Sequence, residues 1–496
     1  MRSILALLSA AVAAGAIVAG HAGAQPAAGE AAGMAVSQHR GVFGGKAVSY
    51  AAKAGDLVVT GADNVPIARI FSTAYLADGA SAARRPVIFA YNGGPGTASA
   101  FLHMGALGPM RAVFPTDLTA PPPSPVRLAP NPDAPLDVAD VVLIDPPETG
   151  FSHTLPGDAK KSYATILGDA EIMADFIRAW VWANGREASP KYVLGESYGA
   201  TRTALVTGDL LKTAGGRPAT HLAGVILVSQ MLTVDDLGPR PMNAAGAAMG
   251  LPSIAAVAWY HGRVPHRGRT MGAFLAEVRR FAIQQYLPAL TQGRDLPRAE
   301  RARIAARVAA YSGLPAAFIL DHDLKLDVET YRRAFAPGQL LGGYDGRYVG
   351  PPAKPGEGAI VDPAQRQTTP IVEAAIGDYL RHGLGVTRQD PYVLENHALA
   401  GAWYFGDKRR ASATTYLTDY IAKEPDAEIM IAGGYDDLVT PFATGVFLAS
   451  HLPVKPGHAT FHAYPGGHMF YSDAASLSAF ARDLRAFVER TSAVAE

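Results

Sequence analysis

The chain has 496 residues, 49% of them apolar, enough for a sizeable core, and at about 150 residues per domain the length alone leaves the domain count open. Lys plus Arg equals Asp plus Glu at 44 each, so there is no net basic field to attract nucleic acid or an anionic membrane. Cysteine is absent, which excludes disulfides, thiolate nucleophiles, iron–sulfur clusters and Cys-type zinc sites together.

Residues 1–24 read as a secretory signal peptide. Arg2 supplies the positive start, Ile4 to Val18 is apolar, and Ala22-Gly23-Ala24 offers a cleavage site before Gln25. Gly15 and Ser9 interrupt the apolar run, which argues against a retained anchor, and no Cys follows for lipid attachment. The mature protein is expected to be exported, periplasmic or secreted, without stable membrane insertion. Lys46 to Tyr50 and Asp56 to Ala90 are β-rich, and Arg85 to Tyr91 is an apolar run ending in a glycine cluster, as a buried strand would. The Pro-rich stretch Pro121 to Pro135 reads as a surface loop, because the run Val138 to Asp145 resumes the strand pattern. Helical periodicity over Asp169 to Ala183, a short strand Lys191 to Leu194, a helix Ala200 to Thr213 and a strand Leu222 to Val228 follow in order.

Strands alternating with helices predict a mostly parallel central sheet with helices on both faces. That rhythm stops near Thr233. From there to about Pro425 the chain reads as mainly helical, with a Gly/Pro-rich patch over Gly342 to Pro370. Strands Glu428 to Ala432 and Ala459 to Tyr464 and an amphipathic helix Ala474 to Arg490 restore the rhythm. The organisation expected is an α/β core over 25–232 and 426–496, interrupted by a helical cap insertion over 233–425.

Gly195-Glu196-Ser197-Tyr198-Gly199 is the chain's single G-x-S-x-G, entered by a strand and left by a helix, as a nucleophile elbow requires. A hydroxyl needs an adjacent base, and the base an orienting carboxylate; in this fold they follow in the order Ser, Asp, His. The strand from Glu428 runs into Gly433-Gly434-Tyr435-Asp436-Asp437, and the strand from Ala459 into Pro465-Gly466-Gly467-His468. Both carboxylate and histidine sit where catalytic loops belong in an open parallel sheet. His468 is preferred to His462, which lies inside its strand, and Asp436 is preferred to Asp437. No metal or cofactor is implied: His103, His221, His261 and His266 lack metal-ligand spacing.

Four motifs together resemble the serine carboxypeptidase (peptidase S10) family. They are Tyr91-Asn92-Gly93-Gly94-Pro95-Gly96 with Gly108-Pro109, the segment Ile144 to Ser152, the elbow Gly195-Glu196-Ser197-Tyr198, and Ala432 to Asp436 with Gly467-His468-Met469. The resemblance implies the α/β-hydrolase fold and a triad of Ser197, Asp436 and His468. It also implies an oxyanion hole from the amides of Gly94 and Tyr198, and recognition of a peptide's free C-terminal carboxylate by Asn92 and Glu196. There are departures. The family's second carboxylate-binding Glu falls on Ala106, its Trp on Tyr91, and its Cys on Thr97. The expected activity is release of C-terminal residues through an acyl-enzyme on Ser197. The alternatives are another α/β-hydrolase (an esterase, a prolyl-aminopeptidase-like enzyme or an acyltransferase), or a non-catalytic binding protein.

Overall fold

A computed structural model describes residues 33–494 except 62–64, 80–83, 157–162, 215, 234–236, 238–241, 353–361 and 405–411; residues 1–24, read from the sequence as a signal peptide, lie outside the described residues. Nine strands form the main path of one sheet: β1 (Ala35–Phe43), β2 (Lys46–Thr60), β3 (Pro66–Ala77), β4 (Val87–Tyr91), β5 (Asp140–Ile144), β6 (Lys191–Glu196), β7 (Gly224–Val228), β8 (Ile429–Gly434) and β9 (Ala459–Tyr464). Their order across the sheet is β1-β2-β3-β5-β4-β6-β7-β8-β9. β1, β2, β3 and β5 pair antiparallel, and every pairing from β5 through β9 is parallel.

The parallel strands are apolar on both faces because helices cover both. Every residue of β4, β5, β6, β7 and β8 is buried, and their alternate side chains feed two separate apolar clusters. Ile88, Leu194, Ile226 and Met430 join one, with the C-terminal helix Ala474–Val494. Phe89, Val193, Leu227 and Ile431 join the other, with α1 (Ile166–Ala183) and α2 (Tyr198–Leu210). Thr165 caps α1, its hydroxyl accepting from Gly168 N at 3.0 Å. The strand–helix alternation predicts this mostly parallel, two-faced sheet, and the arrangement is the α/β-hydrolase fold that the motif resemblance implies. The crossover order at β5-β4-β6 opens the crevice above the strand ends in which such sheets place their sites.

Between β7 and β8 the described residues are mainly helical. Helices α3 (Ala244–Tyr260), α4 (Met271–Phe281) and α5 (Arg298–Ser312) share an apolar cluster of their own, into which Leu438 and Phe442 project from beyond β8. α6 (Pro363–Asp378) lies partly inside the stretch read as a Gly/Pro-rich patch. Asp362 caps it, accepting from Ala364 N at 3.0 Å, and Pro363 takes the first helical position, where its missing N–H costs nothing. Among the buried side chains of α6, Ile371, Val372, Ala375 and Ile376 belong to the sheet's cluster. α7 (Ala413–Lys423) likewise packs Leu417, Tyr420 and Ile421 into the cluster beside α2. The segment between β7 and β8 is therefore two things: a helical unit with its own core, and helices that complete the sheet's layers.

Candidate active site

Ser197 occupies the tight turn between β6 and α2 at φ 60°, ψ −124°, a left-handed backbone that a non-glycine residue adopts only under constraint. The turn is fixed by Ser197 N donating to Val228 O at 2.9 Å. The loop after β4 lies directly against it. A Cβ on Gly93 would come within 2.5 Å of the amide nitrogens of both Tyr198 and Gly199, so only glycine permits this approach. Asn92, Gly94, Glu196, Ser197 and His468 then line one cavity.

A buried ion pair holds the turn from behind. Arg202 on α2 donates to Asp169 on α1 at 2.6 Å and to the Asn92 carbonyl at 2.6 Å, and both charged side chains are essentially unexposed. Tyr198 Oη donates to the same Asp169 carboxylate at 3.2 Å, and the guanidinium lies over the Tyr91 and Tyr198 rings. Burial pushes Asp169 up, while Arg202 pulls it back. Neither Arg202 nor Asp169 carries a motif in the sequence; a buried Arg on the elbow helix reveals itself only when its partner is brought beside it.

His468 follows β9. Its Nδ1 meets Asp437 Oδ2 at 2.7 Å, and its backbone N donates to Tyr344 O at 2.5 Å. Asp437 is fully buried and also accepts from the backbone N–H of Val439 and Thr440, at 2.8 Å each. The expectation that Asp436 orients the histidine is therefore corrected. Asp436 N bonds to Gly466 O, which keeps residue 436 in the pairing between the two loops and turns its side chain away from the imidazole. Its carboxylate accepts from Gly466 N at 3.2 Å and faces Arg347, 4.0 Å away. Burial, then the neighbouring Asp345, pushes Asp436 up. Two adjacent aspartates after a strand point opposite ways, and which one faces the histidine depends on the turn that Asp437 closes by donating its N–H to Gly434 O.

Ser197 Oγ points to Met231 Sδ at 3.9 Å, and His468 Nε2 is buried without a hydrogen-bond partner among the described residues. Serine and histidine thus share the cavity without a direct bond, a looseness common in ligand-free sites. Burial acts against a charge on His468, but the carboxylates of Asp437 and Glu196 outweigh it and raise its proton affinity. Glu196 is buried; burial pushes it up to about 7, against the opposing influence of His468. Tyr471 Oη donates to Glu196 Oε2 at 2.6 Å, and Asn92 hydrogen-bonds both. Asn92 Oδ1 is committed to Leu102 N at 2.9 Å, which leaves its amide N–H groups for these partners. Ala106 is buried and does not line the cavity.

The segment between β7 and β8 contributes Tyr344, Asp345, Tyr348, Gln365, Thr368 and Glu395 to the cavity, none of which the sequence pattern singles out. The other histidines have local partners. His462 Nδ1 meets Asp483 at 3.0 Å, His103 meets the Tyr75 hydroxyl, His221 meets Glu424, His261 meets the Gly346 carbonyl, and His266 stacks on Trp259. Among the described residues, no group of three or more acidic or histidine side chains is arranged to hold a metal ion, and no helix is long and apolar enough to cross a membrane.

No curated protein matches the chain. Among solved structures it is similar to a proline iminopeptidase of Mycobacterium smegmatis, with 16% identity, 89% of this chain and 100% of that chain covered, and a TM-score of 0.38. It is also similar to a carboxyl esterase from Bacillus coagulans, with 12% identity, 88% and 99% covered, and a TM-score of 0.39. Residues 72–235, from β3 through the elbow to just past β7, match the serine carboxypeptidase (peptidase S10) family, which bears out the resemblance read from the motifs and makes the chain a serine hydrolase of the α/β class.

Proposed function

We propose that the protein is a serine-type carboxypeptidase in which Ser197 is the nucleophile, His468 the base and Asp437 the orienting carboxylate. The observation that carries the carboxypeptidase reading is Glu196. It is a buried carboxyl one residue from the nucleophile, bonded to Asn92, with a proton affinity raised to about 7. A carboxyl that holds its proton near neutrality donates a hydrogen bond to a second carboxylate instead of repelling it. A peptide's free C-terminus seated on Glu196 and Asn92 places the last peptide bond beside Ser197.

Ser197 Oγ then attacks the carbonyl of that bond while His468 Nε2 takes its proton. Asp437 holds the imidazole by Nδ1 and stabilises the imidazolium as it forms. The backbone N–H groups of Gly94 and Tyr198 receive the negative charge that develops on the carbonyl oxygen. His468 returns the proton to the departing amino group, and water releases the shortened peptide from the ester on Ser197. The substrate is thus a peptide with a free carboxyl end. Export through residues 1–24 is part of the same proposal, checked by the mass of the N-terminus of protein recovered outside the cytoplasm.

The test is to incubate the purified protein with a peptide as its free acid and as its C-terminal amide. Release of the last residue from the acid, with the amide cut far more slowly, supports the reading. Equal cleavage of both, or hydrolysis of simple esters with no action on the free acid, assigns the site to another α/β-hydrolase activity.

A further inference from the structure

Glu196 is held by a residue of quite different chemistry from the carboxyl partner that the family resemblance implies. That partner's position is Ala106, buried in the helical turn His103–Leu107, with its carbonyl bonded to Asn131 Nδ2 at 2.8 Å. Beside it, a Cβ on Gly105 would lie 2.5 Å from Cε2 and 2.8 Å from Cδ2 of Tyr471. The Tyr471 ring therefore fills the space that the small residue leaves. Tyr471 comes from the turn Phe470–Ser472 just after His468, is fully buried, and aims its hydroxyl at Glu196 Oε2 from 2.6 Å. Met469 and Ser472 on either side line the cavity, and Tyr471 itself does not.

We propose that Tyr471 is the positioning residue for Glu196: its phenol engages one carboxyl oxygen permanently, so that the other is presented to the substrate's terminal carboxylate. This assignment rests on the carboxypeptidase reading above. The groups facing Glu196 are His468, Asp437, Asn92 and Tyr471, and Asp362 also acts on His468. Among them Tyr471 differs from a second carboxyl in one decisive way. Burial and the adjacent Glu196 keep its proton in place far above neutral pH, so it remains a donor throughout the working range. A donor to the carboxylate favours the charged form of Glu196. Removing the donor makes Glu196 hold its proton more strongly, and frees the side chain to turn.

The experiment compares Tyr471→Phe with the unmodified enzyme over a pH series, using a free-acid peptide and a nitrophenyl ester that has no carboxylate. Tyr471→Phe keeps the ring and its packing against Gly105. KM for the free acid should rise at low pH with kcat little changed, and its further increase with pH should begin about one unit higher, the size expected for loss of a hydrogen bond to a charged group. The plateau rate on the ester should be unaffected, with its acidic limb unmoved or moved to lower pH, because a Glu196 that keeps its proton no longer raises His468. If Tyr471→Phe fails to fold, Gly105→Ala, which displaces the same ring, is read by the same profile. An unmoved profile in a folded variant, a shift to lower pH, or a parallel loss on the ester overturns the assignment of Tyr471 alone. Failure of the unmodified enzyme to prefer the free acid over its amide overturns the carboxypeptidase reading, and this assignment with it.

Discussion

One side of the cavity is made by loops at strand ends, Asn92 to Gly94, Glu196 to Ser197 and His468 to Met469; the other is made by Tyr344, Asp345, Tyr348, Gln365, Thr368 and Glu395 from the segment between β7 and β8. On the first side every group with a proposed chemical role is fixed by neighbouring backbone and by buried partners such as Arg202 and Asp169. On the second side the same cavity is closed by side chains projecting from irregular segments and helices whose packing serves other cores. The loop 342–348 joins the two: Tyr344 O accepts from His468 N, and Gly346 N donates to Asp436 O. The chemistry thus belongs to the sheet, and the shape of the pocket belongs to the insertion. Substitutions on the sheet side should change rates or stability by large factors, whereas changes on the other side should alter which substrates fit.

Ser197→Ala should produce the largest loss, about 10⁶-fold in kcat, leaving a residual catalysis of about 10³-fold over water from the oxyanion hole. Steady-state kinetics on the free-acid peptide measure it, and an unchanged melting temperature shows that the turn has not been disrupted. Next, Asp437→Asn should lower kcat by about 10⁴-fold, because the amide cannot hold the required tautomer of His468. Asp436→Asn should retain most activity, since that carboxylate faces Arg347 and not the imidazole. Comparable losses in both variants would erase the distinction between the neighbouring aspartates.

Arg202→Leu tests the support behind the elbow. Leaving Asp169 buried without its partner should cost about 3–5 kcal/mol, seen as a lower denaturation midpoint. The smallest effect concerns pH. His468 and Glu196 each alter the other's proton affinity, so kcat/KM should be bell-shaped with limbs belonging to the pair. The productive state has His468 neutral and Glu196 protonated. Glu196→Gln removes a negative charge that raises His468, so the acidic limb should move to lower pH. The same change removes the ionisation that weakens carboxylate binding, so the rise of KM towards alkaline pH should flatten. A pH series of kcat/KM and KM reads both.

The central strands were legible because full burial on both faces leaves short apolar runs: Arg85 to Tyr91 contains β4, and Lys191 to Leu194 opens β6. Ala459 to Tyr464 coincides with β9, although that strand at the sheet's end is mostly half-buried. β1 was missed: its alternating pattern over Ala35–Phe43 is that of an edge strand, half of whose side chains are exposed. Ser197 and His468 were legible because a turn chemistry surrounds them. The choice between Asp436 and Asp437 was not, because one residue of register reverses a side chain's direction and only the turn after β8 sets it. Tyr471, Arg202 and the lining from residues 344 to 395 were invisible for a common reason. Each acts through a partner far away in sequence, such as Glu196 for Tyr471, and long-range pairing leaves no local pattern.

The most direct measurement is covalent labelling with a fluorophosphonate, which reacts with an activated serine hydroxyl, followed by peptide mass mapping. The account predicts one label per chain, on Ser197, with labelling abolished in Ser197→Ala and strongly slowed in Asp437→Asn. A label on any other residue, or full-rate labelling of Asp437→Asn, would contradict it.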